Sequence, residues 1–377
     1  MKRFLTSLLG SPSDRTAARG RCRRQTSAPR VEALESRWCP SATSYVNHGH
    51  MLVIVGDGAA NKVTVTQNDQ ADTLTVVADG VTKVYRSSQI DQIGVDLKGG
   101  SDYFWYGLAA GSNFLDLGKK VTVNLGAGND QAWLDFRGNG GPARLLGTLD
   151  VTVYGGAGND EMFGNFPAVA NDNIIFRSPV PAGDFARQHI GALNVTALMG
   201  DGDDNASVNL WGNVTGGARV SLDLQGGNGN DSLNTWATFN GGYNRIGIDY
   251  FSAVTINMDG GAGSDSLYAL YGGQLNGRLT LRENGGQGND TLTAEVHLMP
   301  GSTGSFDGEV LGGAGDDRMS FQLFVSPPSR VRVINALMDG GEGIDTKAAT
   351  TPNVTVRSCE LPRIGIIGLS GDELSAP

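Results

Sequence analysis

The sequence predicts an all-β chain wound as a parallel β-helix, or β-solenoid, of about nine coils, with one Gly-Asp loop per coil and a hairpin-rich N-terminal cap. Three observations carry this. Gly makes up 56 of 377 residues, well above ordinary usage, without a Gly-X-Y register. A short loop, Gly-Gly-x-Gly-x-Asp, recurs along the chain. Between its copies, apolar and polar residues alternate with the period of a half-buried strand.

Taken in order, residues 1–45 read as a disordered basic leader. They hold nine Lys/Arg and three Asp/Glu, which leaves 20 basic and 36 acidic residues, a net of −16, on the remainder. Such a body attracts cations and repels nucleic acid and anionic lipid. No Lys lies between Val121 and Thr346, which argues further against a polyanionic partner. No apolar run approaches a membrane span. Phe4-Leu5-Thr6-Ser7-Leu8-Leu9 is short for a signal-peptide core, and Ser11-Pro12 interrupts it. The basic Arg21-Cys22-Arg23-Arg24 and the stretch Val31-Glu32-Ala33-Leu34-Glu35-Ser36-Arg37-Trp38-Cys39-Pro40-Ser41 resemble the LEPR-xLL type of N-terminal segment on exported bacterial proteins. That resemblance implies a secreted or cell-surface protein. Cys22, Cys39 and Cys359 are too few for a disulfide framework.

Residues 46–96 carry closely spaced strand patterns, Met51–Val55, Lys62–Thr66, Thr73–Val77 and Val81–Tyr85. Gly56-Asp57-Gly58 and Asp79-Gly80 supply turns between them, so this region reads as a β-rich cap.

Residues 97–346 carry the repeat. Six copies have both leading glycines and end at Asp160, Asp231, Asp265, Asp290, Asp317 and Asp345; three lack the first and end at Asp102, Asp130 and Asp204. The fourth-position glycines are Gly100, Gly128, Gly158, Gly202, Gly229, Gly263, Gly288, Gly315 and Gly343. Two residues after the Asp the side chain is apolar in eight of nine copies, with Lys347 the exception in the last. Asp-to-Asp spacings run from 25 to 34 residues, apart from 44 between Asp160 and Asp204. Phe166–Ile190, with Pro167, Pro179 and Pro181, is read there as a surface loop leaving the coil. One such unit cannot bury its apolar face alone, but stacked units bury a continuous core. Nine loops at the spacing of parallel strands make a column of about 40 Å. Residues 347–377 read as a C-terminal cap and tail, with Val354-Thr355-Val356 and Ile364-Gly365-Ile366-Ile367 as closing strands.

The loop with its following residues, Gly-Gly-x-Gly-x-Asp-x-Leu-x, resembles the nonapeptide of hemolysin-type (RTX) calcium-binding proteins. The resemblance implies Ca²⁺ as cofactor, held between stacked loops by carbonyl oxygens and carboxylates. Carried over by position, the ligands are Asp130, Asp160, Asp204, Asp231, Asp265, Asp290, Asp317 and Asp345, with the backbone at Gly128, Gly158, Gly202, Gly229, Gly263, Gly288, Gly315 and Gly343. Asp102 is the weaker copy, because Leu97-Lys98 replaces two glycines. The family packs its nonapeptides in tandem, whereas here each stands alone in a longer coil, so one edge of the solenoid could hold ions. Asn and Asp also make turns without metal. Against that, like charges stacked at strand spacing repel unless protons or cations intervene.

The expected function is that of a secreted or surface structural repeat protein that binds calcium and is not an enzyme. Two alternatives stay open. A carbohydrate-active β-helix enzyme needs facing carboxylates, for which Asp135, Asp223 and Glu295 are the candidates. A glycan-binding adhesin, with extracellular polysaccharide or cell envelope as partner, would use Trp211, Trp236, Tyr271 or the cluster Tyr103-Phe104-Trp105-Tyr106. His48-Gly49-His50, His189 and His297 are read as ordinary loop or surface residues.

Overall fold

A computed structural model of the chain describes residues 42–110, 112, 114–115, 118–137, 144–170, 191–237 and 246–359. These residues form a parallel β-solenoid. One strand runs into each Gly-Asp loop and another runs out. Arg219–Asn228 leads into the loop of Asp231, for example, and Ser232–Ala237 leaves it.

Among the described residues the incoming strands lie side by side in a twelve-stranded sheet that runs from Thr43–Val46 to Thr355–Arg357. The outgoing strands lie in a second sheet of twelve, from Val81–Tyr85 to Thr346–Thr350. A third sheet joins four short strands on the return path, Phe114–Leu115, Arg144–Leu145, Ala168–Ala170 and Val214–Thr215. Isolated bridges from Val214 to Ile248 and from Ile248 to Leu275 extend it.

Within residues 46–96, Met51–Val55 pairs in parallel with Gln92–Asp96, and Lys62–Asn68 pairs in parallel with Tyr103–Leu108. Part of this region is therefore a coil of the solenoid itself. Its hairpin pairings are antiparallel: Thr43–Val46 on Met51–Val55, and Lys62–Asn68, Thr73–Ala78 and Val81–Tyr85 in succession. Thr43–Tyr45 thus belongs to a strand although it falls at the end of the expected leader; residues 1–41 lie outside the described residues. Thr355–Arg357 pairs with the strand before it, while Ile364–Ile367 lies outside the described residues.

Alternation places one face of each sheet inside. The apolar residues two after the loop aspartates, including Phe104, Met162, Leu233, Leu267 and Met319, are at most 1% exposed, while Lys347 in the last coil is half-buried. Across the interior, Val121, Val151, Val195, Leu222, Ile256 and Leu281 stack in one row of the incoming sheet. Phe166 is fully buried and stacks on Phe136, and Ala168–Ala170 is a strand. The expected surface loop therefore does not begin at Phe166; the coil runs on to Ala170, and residues 171–190 lie outside the described residues.

One core residue breaks the apolar pattern. Glu283 occupies the row of Met258 and Val310 and is fully buried. Neither of its carboxylate oxygens makes a well-formed hydrogen bond, and the one donor turned toward them is the backbone at Ala269. Burial pushes its carboxyl well above the usual carboxylate range, and the backbone at Ala269 only partly offsets this.

Candidate metal centre: the aspartate column

The loops owe their shape to two residues with positive φ, at the second and fourth positions. Gly261 and Gly263 have φ of +103° and +145°. A Cβ on Gly263 would lie 1.6 Å from the carbonyl oxygen of Gly229 in the preceding coil. Stacked loops approach so closely that no side chain fits there. In the first copy Lys98 takes the second position with φ +78°, so that loop keeps the geometry without its glycine.

Three sets of bonds tie each loop to the next, and a fourth joins those whose fifth residue is Asn or Asp. The fourth-position amide donates to the third-position carbonyl one coil on, as Gly229 N does to Ala262 O at 2.8 Å. The residue after each Asp donates back to the Asp carbonyl of the previous coil, as Ser266 N does to Asp231 O. The fifth-position side chain accepts from the following loop, as Asn230 Oδ1 does from Ser264 N at 2.8 Å. The aspartates work in the opposite direction. Asp231 Oδ1 accepts from Asp204 N at 2.8 Å, and Asp265 Oδ1 accepts from Asp231 N at 2.8 Å.

This ladder takes in Asp102, Asp130, Asp160, Asp204, Asp231, Asp265, Asp290, Asp317 and Asp345, with distances of 2.6–3.0 Å. All nine are at most 3% exposed. Asp102 is thus as much a rung as the others. The ladder begins one loop earlier than the motif indicates, because Asn61 N donates to Asp102 Oδ1 at 2.6 Å. Asn61 ends Gly56-Asp57-Gly58-Ala59-Ala60-Asn61, whose second glycine is at the third position. A search for the fourth-position glycine and the Asp misses it, and it closes the ladder with an uncharged side chain.

Only half of each carboxylate is used. The second oxygen, Oδ2, is buried and has no hydrogen-bond partner in any of the nine aspartates. At the six loops with a leading glycine, the place a Cβ would take on that glycine lies 2.2–2.6 Å from Oδ2 of the loop's own Asp. The same place lies 2.3–2.6 Å from a carbonyl oxygen of the next turn of chain. At Gly226 the two atoms are Asp231 Oδ2 and Gly260 O. Two acceptors converge there with no protein donor between them, which is unfavourable unless a proton or a cation is shared.

Burial raises the carboxyl groups of Asp160 and Asp231 to about 7 and those of Asp102 and Asp317 to about 6. The neighbouring aspartates add to the rise, and the amide bond to Oδ1 opposes it. Asp130, Asp204, Asp265 and Asp290 are raised in the same way. A raised acid binds its proton more tightly when folded. This contribution to stability is complete below the ordinary 3.8 and is lost as pH rises through about 6 to 7.

Calcium takes six to eight hard oxygens. The donors fit in kind: at the six loops with a leading glycine a carboxylate oxygen and a carbonyl oxygen of the next turn of chain flank one place, and Oδ1 keeps a lone pair beyond its amide bond. Among the described residues no group of three or more His, Cys, Asp or Glu converges to hold a metal. An ion on this edge would therefore take carboxylates from adjacent rungs and complete its shell with backbone oxygen. No family model, curated protein or solved structure matches this chain. The likeness to the hemolysin-type nonapeptide rests on the loop residues alone.

The other candidates are dispersed. Asp135 is held by Arg137 at 2.7 Å, and Glu295 lies 3.6 Å from His297. Both are on the outgoing sheet, whereas Asp223 is on the incoming one, so these carboxylates do not face one another. Tyr271 is fully buried, with its hydroxyl donating to Ile246 O, and cannot meet a glycan. The Tyr103–Tyr106 cluster divides: Phe104 and Tyr106 are buried, and Tyr103 and Trp105 are half-buried. Trp211 and Trp236 are half-buried on the outer side. His48 and His50 sit in a turn where Asn47 Oδ1 accepts from Gly49 N. His189 lies outside the described residues. No helix among the described residues is long and apolar enough to cross a membrane.

Proposed function

We propose that this protein is a non-enzymatic structural solenoid of the cell exterior, secreted or surface-held, whose aspartate column is neutralised by Ca²⁺. The observation that carries the reading is the row of nine buried Oδ2 atoms without a hydrogen-bond partner. Bound calcium would supply the positive charge that lets neighbouring carboxylates stay ionised at strand spacing. The residues that would hold it are Asp130, Asp160, Asp204, Asp231, Asp265, Asp290, Asp317 and Asp345, with loop backbone oxygen at the recurring glycines. The chain's own part is to fix the rungs, since each Oδ1 is positioned by the amide of the neighbouring coil. Extracellular calcium modules work at about 10⁻⁴–10⁻³ M. Carboxylates on the outer faces that do not face one another support a scaffold rather than a hydrolase.

Asp231→Asn tests this. The amide keeps Oδ1 as acceptor for Asp204 N and replaces the orphan oxygen with a donor on the side of Gly260 O. Titration calorimetry should show calcium binding by the native chain and fewer sites in Asp231→Asn, with the circular dichroism of the two unchanged. In metal-free buffer at neutral pH the Asn variant should melt at or above the native chain, whereas Asp231→Ala, which loses the rung, should melt below it by about 1–3 kcal/mol of stability. A native chain that binds no calcium at millimolar concentration removes the proposal.

A further inference from the structure

The acidic net charge and the lysine-free stretch both argue against a polyanion partner. Arginine fills that stretch, and the register gathers it. Arg219, Arg278 and Arg332 each open an incoming strand, and pairing through Ala253 and Ser305 sets them in one row. All three are exposed. They recur at every second strand, about 10 Å apart at parallel spacing. Arg278 lies 3.6 Å from Asp307. Among the described residues neither Arg219 nor Arg332 forms an ion pair. The nearby Asp249 is occupied within its own turn, where Oδ1 accepts from the Ser252 hydroxyl and Oδ2 from Gly216 N.

These arginines line a cleft of about 510 Å³ together with Asn276, Thr303 and Phe251. Phe251 is 92% exposed and holds φ +71°. One coil earlier the same place is taken by Gly217, at φ +84°, where the conformation costs nothing. An aromatic residue here bears both backbone strain and exposed apolar surface, and contributes nothing to the core. Tyr250 beside it is 60% exposed, and its hydroxyl lies 3.3 Å from Thr303 Oγ1, which in turn donates to Asn276 Oδ1 at 3.0 Å. The turn that presents the two rings is pinned by Asp249. The cleft thus combines spaced fixed cations, flat apolar rings and neutral hydrogen-bonding groups.

We propose that this cleft binds an acidic polysaccharide, with the arginines on its carboxylate or sulfate groups and Phe251 and Tyr250 against the C–H faces of its sugar rings. A chain charged on every other sugar matches arginines that recur on every other coil. A nucleic-acid strand carries a charge every 3.4 Å or so, far denser than the arginine row. None of the cleft residues is a loop aspartate, so this site stands or falls apart from the calcium column.

The test is calorimetry of the full chain in calcium-containing buffer against four probes: hyaluronan oligosaccharides, with a carboxylate on every other sugar, kappa-carrageenan oligosaccharides, with a sulfate on every other sugar, neutral maltooligosaccharides and oligothymidylate. Binding is expected to one or both acidic glycans, with the responsive probe telling carboxylate from sulfate. The triple variant Arg219→Gln, Arg278→Gln, Arg332→Gln should weaken it by roughly ten-fold or more. Phe251→Ala should weaken it several-fold. These side chains are exposed, so the melting temperature and circular dichroism of the variants should match the native chain. Four results would each overturn the proposal: no binding to either acidic glycan, equal binding to the neutral glycan, tighter binding to oligothymidylate, or undiminished glycan binding by the triple variant. The last would mark a calcium bridge to the aspartate column instead.

Discussion

Gly263→Ala is expected to abolish the native fold or to destabilise it by about 4 kcal/mol or more, the extreme of the range for single substitutions. Two penalties coincide. The residue holds φ +145°, which alanine adopts only with strain. The added methyl would also lie 1.6 Å from Gly229 O and 2.5 Å from its carbonyl carbon. These are backbone atoms of the preceding coil, fixed by the bond from Gly229 N to Ala262 O, so neither can move aside alone. Relief requires the two coils to part, which breaks the aspartate bond between Asp231 and Asp265 as well. Gly58, whose added Cβ would meet nothing, is the control and should tolerate alanine. Equilibrium denaturation of both variants checks this. Equal midpoints would mean that the loops do not stack as described.

Glu283→Leu should act in the opposite direction, raising stability by about 1–4 kcal/mol. Glu283 is fully buried, its two oxygens make no well-formed hydrogen bond, and the residues on either side of it in its row are Met258 and Val310. Leucine fills a similar space and removes an unmatched polar group. The gain should grow with pH. The carboxyl is raised when folded, so its neutral form is favoured inside, and ionisation at higher pH disfavours the native chain. Denaturation of the variant and the native chain at neutral and alkaline pH measures this. A destabilised variant would show that Glu283 has a partner inside the solenoid.

Stacking made the fold legible. A repeat that must bury itself on its neighbour writes the same parity into every coil. Residues two, four and six after each Asp but the last point inward. Counting further along each strand would have settled two errors, since Phe166 is six after Asp160 and Tyr271 six after Asp265, and both are buried. Glu283 is inward by the same count, seven before Asp290 as Met258 is seven before Asp265.

The site was legible only in part. The motif located the aspartates, but not that Oδ1 would be taken by a neighbouring amide while Oδ2 stays alone, because that depends on how one loop sits upon the next. The Asn61 rung was hidden by a shifted glycine. The arginine row was hidden by distance along the chain, although Arg219 and Arg278 stand at one offset, twelve before Asp231 and Asp290. The register turns that shared offset into adjacency.

The column's need for positive charge is tested most directly by thermal melts of the native chain with calcium or with chelator, at about pH 8 and about pH 5. One site filled at a hundred times its dissociation constant adds about 2.7 kcal/mol. Calcium should therefore raise the melting temperature strongly at the higher pH. With chelator, the chain should melt higher at the lower pH, because protons then occupy carboxyls raised to about 6 and 7. Calcium should add little there. Melts that are indifferent to calcium at the higher pH would contradict the calcium column, and chelated melts that also ignore pH would show that the nine aspartates need neither cation nor proton.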